Sequence, residues 1–570
     1  MESTGGLRPK TFTIHQMAPA LLLRHTRRNM PCRFPAPRFL LLALVAALYL
    51  AADTYPRQTG IDAQHYVFRL TMSDDSDEIS GEATVELRFV RGGVTEFALD
   101  LTSAAGGKGM IVSDVTSKGG QAAFAHQNNR LTIKMASPPD AGELRQFTIR
   151  YHGIPADGLR IGTNKFGERT FFSQNWPNLA RQWLPMIDHP YDKATSEFII
   201  TAPIKYQVVA NGVLLEETDL GDGRRVTHWK QSVPIASWLN AVGVAQFTSR
   251  HFGKVQGIPL QTWVFHQDRE PGIITFETPV RQAMEFYIDH IGPYAYEKLA
   301  NVEAAGLRGG TEHASAIFYG ELSVTNRPAT NLVAHEIAHQ WFGDSVTEKD
   351  WDDVWLSEGF ATYFTLLTTE HYEGRDAFVA GLRRSRDSIF SLEKKNPDMA
   401  VRHRNLDDMK KVLNQMVYQK GGWTLHMLRG QIGDKAFWSG IRDYYRRYRD
   451  SNASTDDFRK VMEENSGTDL GWFFDQWLNR PGSPVLEGGW RYDAAAKKIK
   501  IELAQTQPGS SYRLPLELGV SAEGTPQASV TKVEMTKKDQ QFEIMADKEP
   551  ASVALDPNTW TLMEARFVKR

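Results

Sequence analysis

Ala83, Val85, Leu87 and Phe89 alternate with Glu82, Thr84, Glu86 and Arg88, a period of two that predicts a strand with one buried face. Gly92-Gly93 then marks a turn and an extended run resumes over 97–101. Further strands are expected over 147–151, 198–201 and 206–210, separated by Gly, Pro and Asp clusters, so residues 53–254 read as an antiparallel β domain. From Phe276 the apolar spacing becomes helical, with helices expected over 276–290, 331–342, 356–370, 421–429 and 455–465. Ser454 or Thr455 ahead of Asp456-Asp457 is a helix start, and Gly467 is its stop. Arg480-Pro481-Gly482-Ser483-Pro484 breaks the pattern and closes a mainly helical block over 255–483. Beyond it Ile499, Ile501 and Leu503, then Leu514, Leu516, Leu518 and Val520, alternate with polar residues, which predicts a small β-sandwich over 484–570. The fold class is therefore multidomain α+β.

The first 52 residues follow a different pattern. Arg24, Arg27, Arg28, Arg33 and Arg38 precede an apolar run over 39–52, and polarity returns at Asp53. A positive flank, a short apolar core and small residues at its end read as a secretory signal, and the run is short for a membrane span. The expected location is secreted or periplasmic; the alternative is an uncleaved anchor that holds the chain at a membrane through residues 39–52. The net charge of −2 over 570 residues lacks the basic excess of a nucleic-acid binder, so no nucleic-acid partner is expected. Removing residues 1–52 takes away seven basic residues and one acidic one, which moves the net charge to −8. The single cysteine, Cys32, falls in that segment, so the remainder has neither a disulfide nor a thiol nucleophile.

Candidate chemistry concentrates in His335-Glu336-Ile337-Ala338-His339. Residues four apart share a helix face, so His335 and His339 can hold one metal ion, with Glu336 beside them to take a proton from metal-activated water. Glu358 lies 19 positions beyond His339 on what reads as the next helix and offers a third ligand. Two histidines, one carboxylate and an open position are the donor set of a catalytic zinc site rather than a structural one. One Zn2+ per chain is expected. His371, His403 and His426 read as surface or packing residues, and Trp341, Trp351 and Trp355 as packing around the zinc-bearing helices. Glu348-Lys349-Asp350 and Lys394-Lys395 read as solvated surface.

The spacing from His335 to Glu358 combines with Gly309-Gly310-Thr311-Glu312-His313 upstream and Val417-Tyr418-Gln419-Lys420-Gly421-Gly422 downstream. With the Arg181–Pro190 and Trp477–Pro484 segments added, the chain resembles the M1 zinc aminopeptidases from about residue 55 to 490. The resemblance implies a saddle-like β N-terminal domain, a thermolysin-like α+β catalytic domain over 255–483 and a β-sandwich. It also implies a short form, without the large C-terminal helical domain that roofs the active site in many relatives.

Site roles follow from the same resemblance. His335, His339 and Glu358 would bind zinc, Glu336 would act as general base, and Tyr418 would hydrogen-bond the developing oxyanion. Glu312 would hold the free α-amino group of a peptide substrate, with Gln174 assisting, and the Gly309-Gly310 backbone would lie along the substrate. Departures from the family pattern are Thr311 for methionine, His313 for asparagine, Ser357 for asparagine, and Thr365 where a glutamate often supports the metal. The expected partners are peptides with a free N-terminus. A thermolysin-like endopeptidase and a catalytically silent binding module on the same fold are the rival readings; an endopeptidase would have no use for Glu312.

Overall fold

The computed structural model describes residues 53–524 and 528–570, so the expected signal or anchor segment, residues 1–52, lies outside the described residues. Among the described residues no helix is long and apolar enough to cross a membrane. The alternating segment forms the strand Ile79–Phe89, with Ala83, Val85, Leu87 and Phe89 all fully buried. It sits inside an eight-stranded sheet, between Ile61–Thr71 and Leu144–Ile154. That sheet is not wholly antiparallel: Ile61–Thr71 pairs in parallel with Lys193–Pro203. A parallel pair needs a long crossover connection, and here the chain forms other strands of the sheet before it returns.

A five-stranded sheet follows, in the order Phe247–Val255, Ile258–Phe265, Leu299–Ala304, Ala316–Gly320, Gly310–Thr311. The boundary expected between residues 254 and 255 therefore cuts a hairpin. The sheet's central strands are buried on both faces. Trp263, Phe265, Val302 and Phe318 join the core of the N-terminal β region, while Leu260, Val264, Leu299 and Tyr319 join the core of the helices. Gly310–Thr311 is its edge strand, and that edge borders the candidate site.

The helices of ten residues or more are α1 (Arg269–His290), α2 (Thr330–His339), α3 (Trp355–Glu373), α4 (Arg375–Lys395), α5 (Gly421–Ile432), α6 (Asp434–Tyr448) and α7 (Thr455–Ser466). α7 begins and ends where its sequence signals lie. Ser454 and Asp457 form a reciprocal capping box, and Gly467 takes the left-handed conformation at φ 66°. The two helices absent from the sequence reading, α4 and α6, both start after glycines at positive φ, Gly374 and Gly433. The buried face of α4 includes the small residues Gly381 and Ser385, which thins the apolar stripe that would have marked it. In the C-terminal region one sheet of four strands and one of three bring Ile499, Ile501 and Leu503 together with Leu514, Leu516 and Leu518 in one core.

Glu348 and Asp350 are buried, contrary to the surface expectation, while Lys349 between them is exposed. Glu348 lies on a short strand that pairs with Ser451–Ala453. Asp350 accepts from the backbone N–H groups of Asp53 and Asp352 and from Arg57. Lys394 and Lys395 are solvated as expected.

Candidate active site

Four-residue spacing on α2 places Nε2 of His335 and Nε2 of His339 3.2 Å apart. Glu358, in the first turn of α3, brings Oε2 to 3.5 Å from His335 Nε2 and 3.3 Å from His339 Nε2. Donors about 2.0–2.1 Å from a tetrahedral zinc ion stand roughly 3.3–3.4 Å from one another, so the three separations fit such an ion. Glu358 Oε2 is buried and accepts no hydrogen bond, a costly state for a carboxylate oxygen unless a cation is its partner. Burial pushes the Glu358 carboxyl up, but the His339 and His335 rings outweigh burial and hold it down to about 2. The ionised carboxylate is the form a metal ligand needs.

His339 is oriented from behind. Its Nδ1 lies 2.9 Å from the Ser357 hydroxyl and 3.2 Å from the Phe342 carbonyl, so Nδ1–H donates there and the Nε2 lone pair faces the other donors. The approach is tight enough that Gly343, at φ 117°, has no room for a side chain: a Cβ there would overlap Ser357 Oγ and stand 3.2 Å from His339 Nδ1. Ser357, which the sequence presents only as a departure from the family pattern, is thus a support of the metal shell. Thr365 is not, because its hydroxyl donates to the Ala361 carbonyl one turn back. Ser357→Ala is expected to weaken zinc binding about 10-fold, read by competition with a chromogenic chelator.

Glu336 is buried against the edge strand, and a Cβ at Gly310 would overlap its carboxylate, so the glycine is a condition of the close approach. Burial and the nearby Glu312 charge raise the Glu336 carboxyl well above its usual range. A dication held by the three donors supplies the opposing charge that favours its ionised form. Glu312 is itself buried, and among the described residues no side chain donates to its carboxylate. Its backbone is fixed instead: Gln340, the residue after His339, donates to the carbonyls of Glu312 and His313 at 3.0 and 3.3 Å. Gln340 had no sequence signal, since a lone amide on a helix reads as surface. Gln174 comes beside the same strand, where its Oε1 accepts from the Thr311 hydroxyl at 3.2 Å. Gly309 accepts from Gly320 N–H at 2.8 Å, which fixes the turn into the edge strand.

Tyr418 lies in a π-helical turn, Met416–Lys420, and its hydroxyl donates to Glu358 Oε1 at 2.8 Å. Burial and the Glu358 charge raise the phenol far above its usual range, so it remains a proton-bearing donor at any working pH. The turn is anchored by Lys420, whose buried ammonium pairs with Glu393 at 3.0 Å and donates to the Gly482 carbonyl. His426 packs face to face on Trp560 and holds no other histidine, and Trp341, Trp351 and Trp355 are fully buried around α2 and α3. The structure brings His335, His339, Glu358, Glu336, Glu312, Gly310 and Tyr418 together, Gln174 approaches through Thr311, and Gly309 lies in the turn before the edge strand.

Two family models match the chain, the Peptidase M1 N-terminal domain over residues 62–239 and the Peptidase family M1 domain over residues 281–477. The chain belongs to peptidase family M1. Glutamyl aminopeptidase of Bos taurus is 29% identical over 326 residues, 54% of this chain and 34% of its own. The chain thus spans about a third of the length of that relative. Probable aminopeptidase 1 of Sulfurisphaera tokodaii is 24% identical over 438 residues, 72% of this chain and 54% of its own. Among solved structures, an M1 zinc metallopeptidase mutant from Deinococcus radiodurans, bound to a Tyr-Ser-Ala substrate, superposes with a TM-score of 0.66 at 26% identity. That match covers 75% of this chain and 96% of the other. The zinc of the family fits the His335, His339 and Glu358 cluster of this M1 peptidase.

Proposed function

We propose that this chain is a zinc-dependent aminopeptidase that hydrolyses the first peptide bond of peptides with a free N-terminus. The observation that carries the reading is Glu312, a buried carboxylate just past the strand that borders the metal donors, close to His339 and Glu358, to which no side chain among the described residues donates. Such a group selects a cationic chain end, and its cost in an endopeptidase would have no return. His335, His339 and Glu358 would hold one zinc ion per chain, which when bound would supply a Lewis acid that acidifies water and polarises a carbonyl. Glu336 takes the proton of the attacking water and passes it to the leaving amine. Tyr418 turns its phenol from Glu358 toward the oxygen on which negative charge develops. Glu312, assisted by Gln174, holds the α-ammonium group, and the exposed edge of Gly309-Gly310 aligns the substrate backbone as an added strand. The peptide-bound neighbour from Deinococcus radiodurans supports the substrate class. The charged flank and apolar run of residues 1–52 support an exported location.

The test is a panel of aminoacyl p-nitroanilides, free and N-acetylated, assayed before and after metal removal. Free substrates are expected to react at least about 100-fold faster than blocked ones, since a buried charge pair is at stake. Chelation should abolish turnover and added zinc restore it. Equal rates on acetylated substrates would instead support the endopeptidase, and no metal-dependent turnover would support a silent binding module.

A further inference from the structure

A groove of about 630 Å³ leads away from the metal donors and serves none of the roles assigned above. It opens at His335 and Tyr418, passes Thr365 and Thr369 on successive turns of α3, and is walled on its far side by Gly381 and Arg384 of α4. A Cβ at Gly381 would press on Leu366 of α3 and stand 3.8 Å from Arg384 Nη2, so the guanidinium folds back over Gly381 at the level of Leu366. Leu366 lies eight residues beyond Glu358, roughly 12 Å along a helix that rises about 1.5 Å per residue. An extended peptide advances about 3.3 Å per residue, so this level is reached about three to four residues past the scissile bond.

Among the described residues Arg383 and Arg384 are the two arginines of α4 without an ion pair, and of the two only Arg384 lines the groove. Arg375 pairs with Glu370 and Arg386 with Asp387, whereas among the described residues Arg384 makes no ion pair and its guanidinium donates no hydrogen bond. The acidic group on the groove wall, Glu373, lies two turns farther along α3 and is not paired with it. A free guanidinium offers two parallel N–H donors matched to a carboxylate.

We infer that Arg384 is a specificity determinant that binds a carboxylate on the leaving fragment of the substrate. The carboxylate is either the free C-terminus of a peptide of about four residues or an acidic side chain at the equivalent depth. The inference rests on the aminopeptidase reading and extends it to the other side of the scissile bond. It predicts that the enzyme favours short peptides with an anionic far end over their neutral counterparts.

The experiment uses the zinc-loaded full chain and two substrate pairs. The first is tetra-alanine with a free C-terminal carboxylate against its C-terminal amide. The second is a pair of C-terminally amidated tetrapeptides with glutamate or glutamine in fourth place. The wild type should favour the anionic member of at least one pair about fivefold in kcat/KM, mainly through KM, as fits a partly exposed bidentate pair. The responding pair identifies the source of the carboxylate. In Arg384→Gln the ratio should fall to about one, and in Arg384→Glu the neutral member should be preferred. A wild-type ratio of one in both pairs, or a preference that survives both substitutions, overturns the inference. Hydrolysis of alanine p-nitroanilide by the wild type separates the two layers. If it occurs without any carboxylate preference, only the subsite is lost; if it does not occur, the aminopeptidase reading falls and takes the subsite with it.

Discussion

Replacing Glu336 with glutamine is expected to lower kcat by about 10³- to 10⁴-fold while zinc stays bound, the upper part of the range for loss of a positioned general base. The glutamine keeps the shape and the contact with Gly310 but cannot take a proton. The three metal donors are untouched, and His339 keeps its Ser357 and Phe342 partners. Metal analysis of the purified variant, beside its turnover of an aminoacyl p-nitroanilide, gives both readings at once. Loss of zinc together with activity would mean that Glu336 serves the metal site rather than the proton transfer. Retention of most activity would place the base elsewhere.

Glu312→Ala should lower kcat/KM on free aminoacyl substrates by about 30- to 1,000-fold, the cost of removing one partner of a buried charge pair. Much of that loss should fall in KM, because the ammonium contact exists before the chemical step, and the remainder in kcat, because the anchor sets the distance from the chain end to the metal. N-acetylated substrates cannot make the contact and should change little. A drop of equal size on free and acetylated substrates would show that Glu312 supports the fold of the edge strand instead of reading the chain end. The backbone of that strand is held by Gln340 through the carbonyls of Glu312 and His313, contacts that the alanine variant keeps.

The parts of the site that a helix dictates were legible from the chain. The four-residue spacing of His335 and His339 requires a shared face, and the structure places their Nε2 atoms 3.2 Å apart. The Gly309-Gly310 backbone was marked only by the family resemblance, as a partner of the substrate, and the contact of Gly310 with the Glu336 carboxylate was not legible. Contacts made across long sequence separations were not readable. Glu348 and Asp350 read as surface because charge in a sequence signals solvent until its partners are known. For Asp350 those partners include Asp53 and Arg57, almost three hundred residues away. Ser357 and Gln340 act through hydrogen bonds that only the fold brings together. α4 was hidden for a different reason. Its buried stripe is diluted by Gly381 and Ser385, and Gly381 also lines the groove beside Arg384, where it leaves room for Leu366. The parallel pairing of Ile61–Thr71 with Lys193–Pro203 is a property of topology, which alternation along one strand does not record.

The separations of 3.2, 3.3 and 3.5 Å among His335, His339 and Glu358 make the most direct test a diffraction experiment at the zinc absorption edge on crystals of the metal-replete protein. A single anomalous peak about 2.0–2.1 Å from both Nε2 atoms and from Glu358 Oε2 is the predicted result. Absence of a peak between these three donors, or a fully occupied peak elsewhere in a chain that still hydrolyses peptides, would contradict the account.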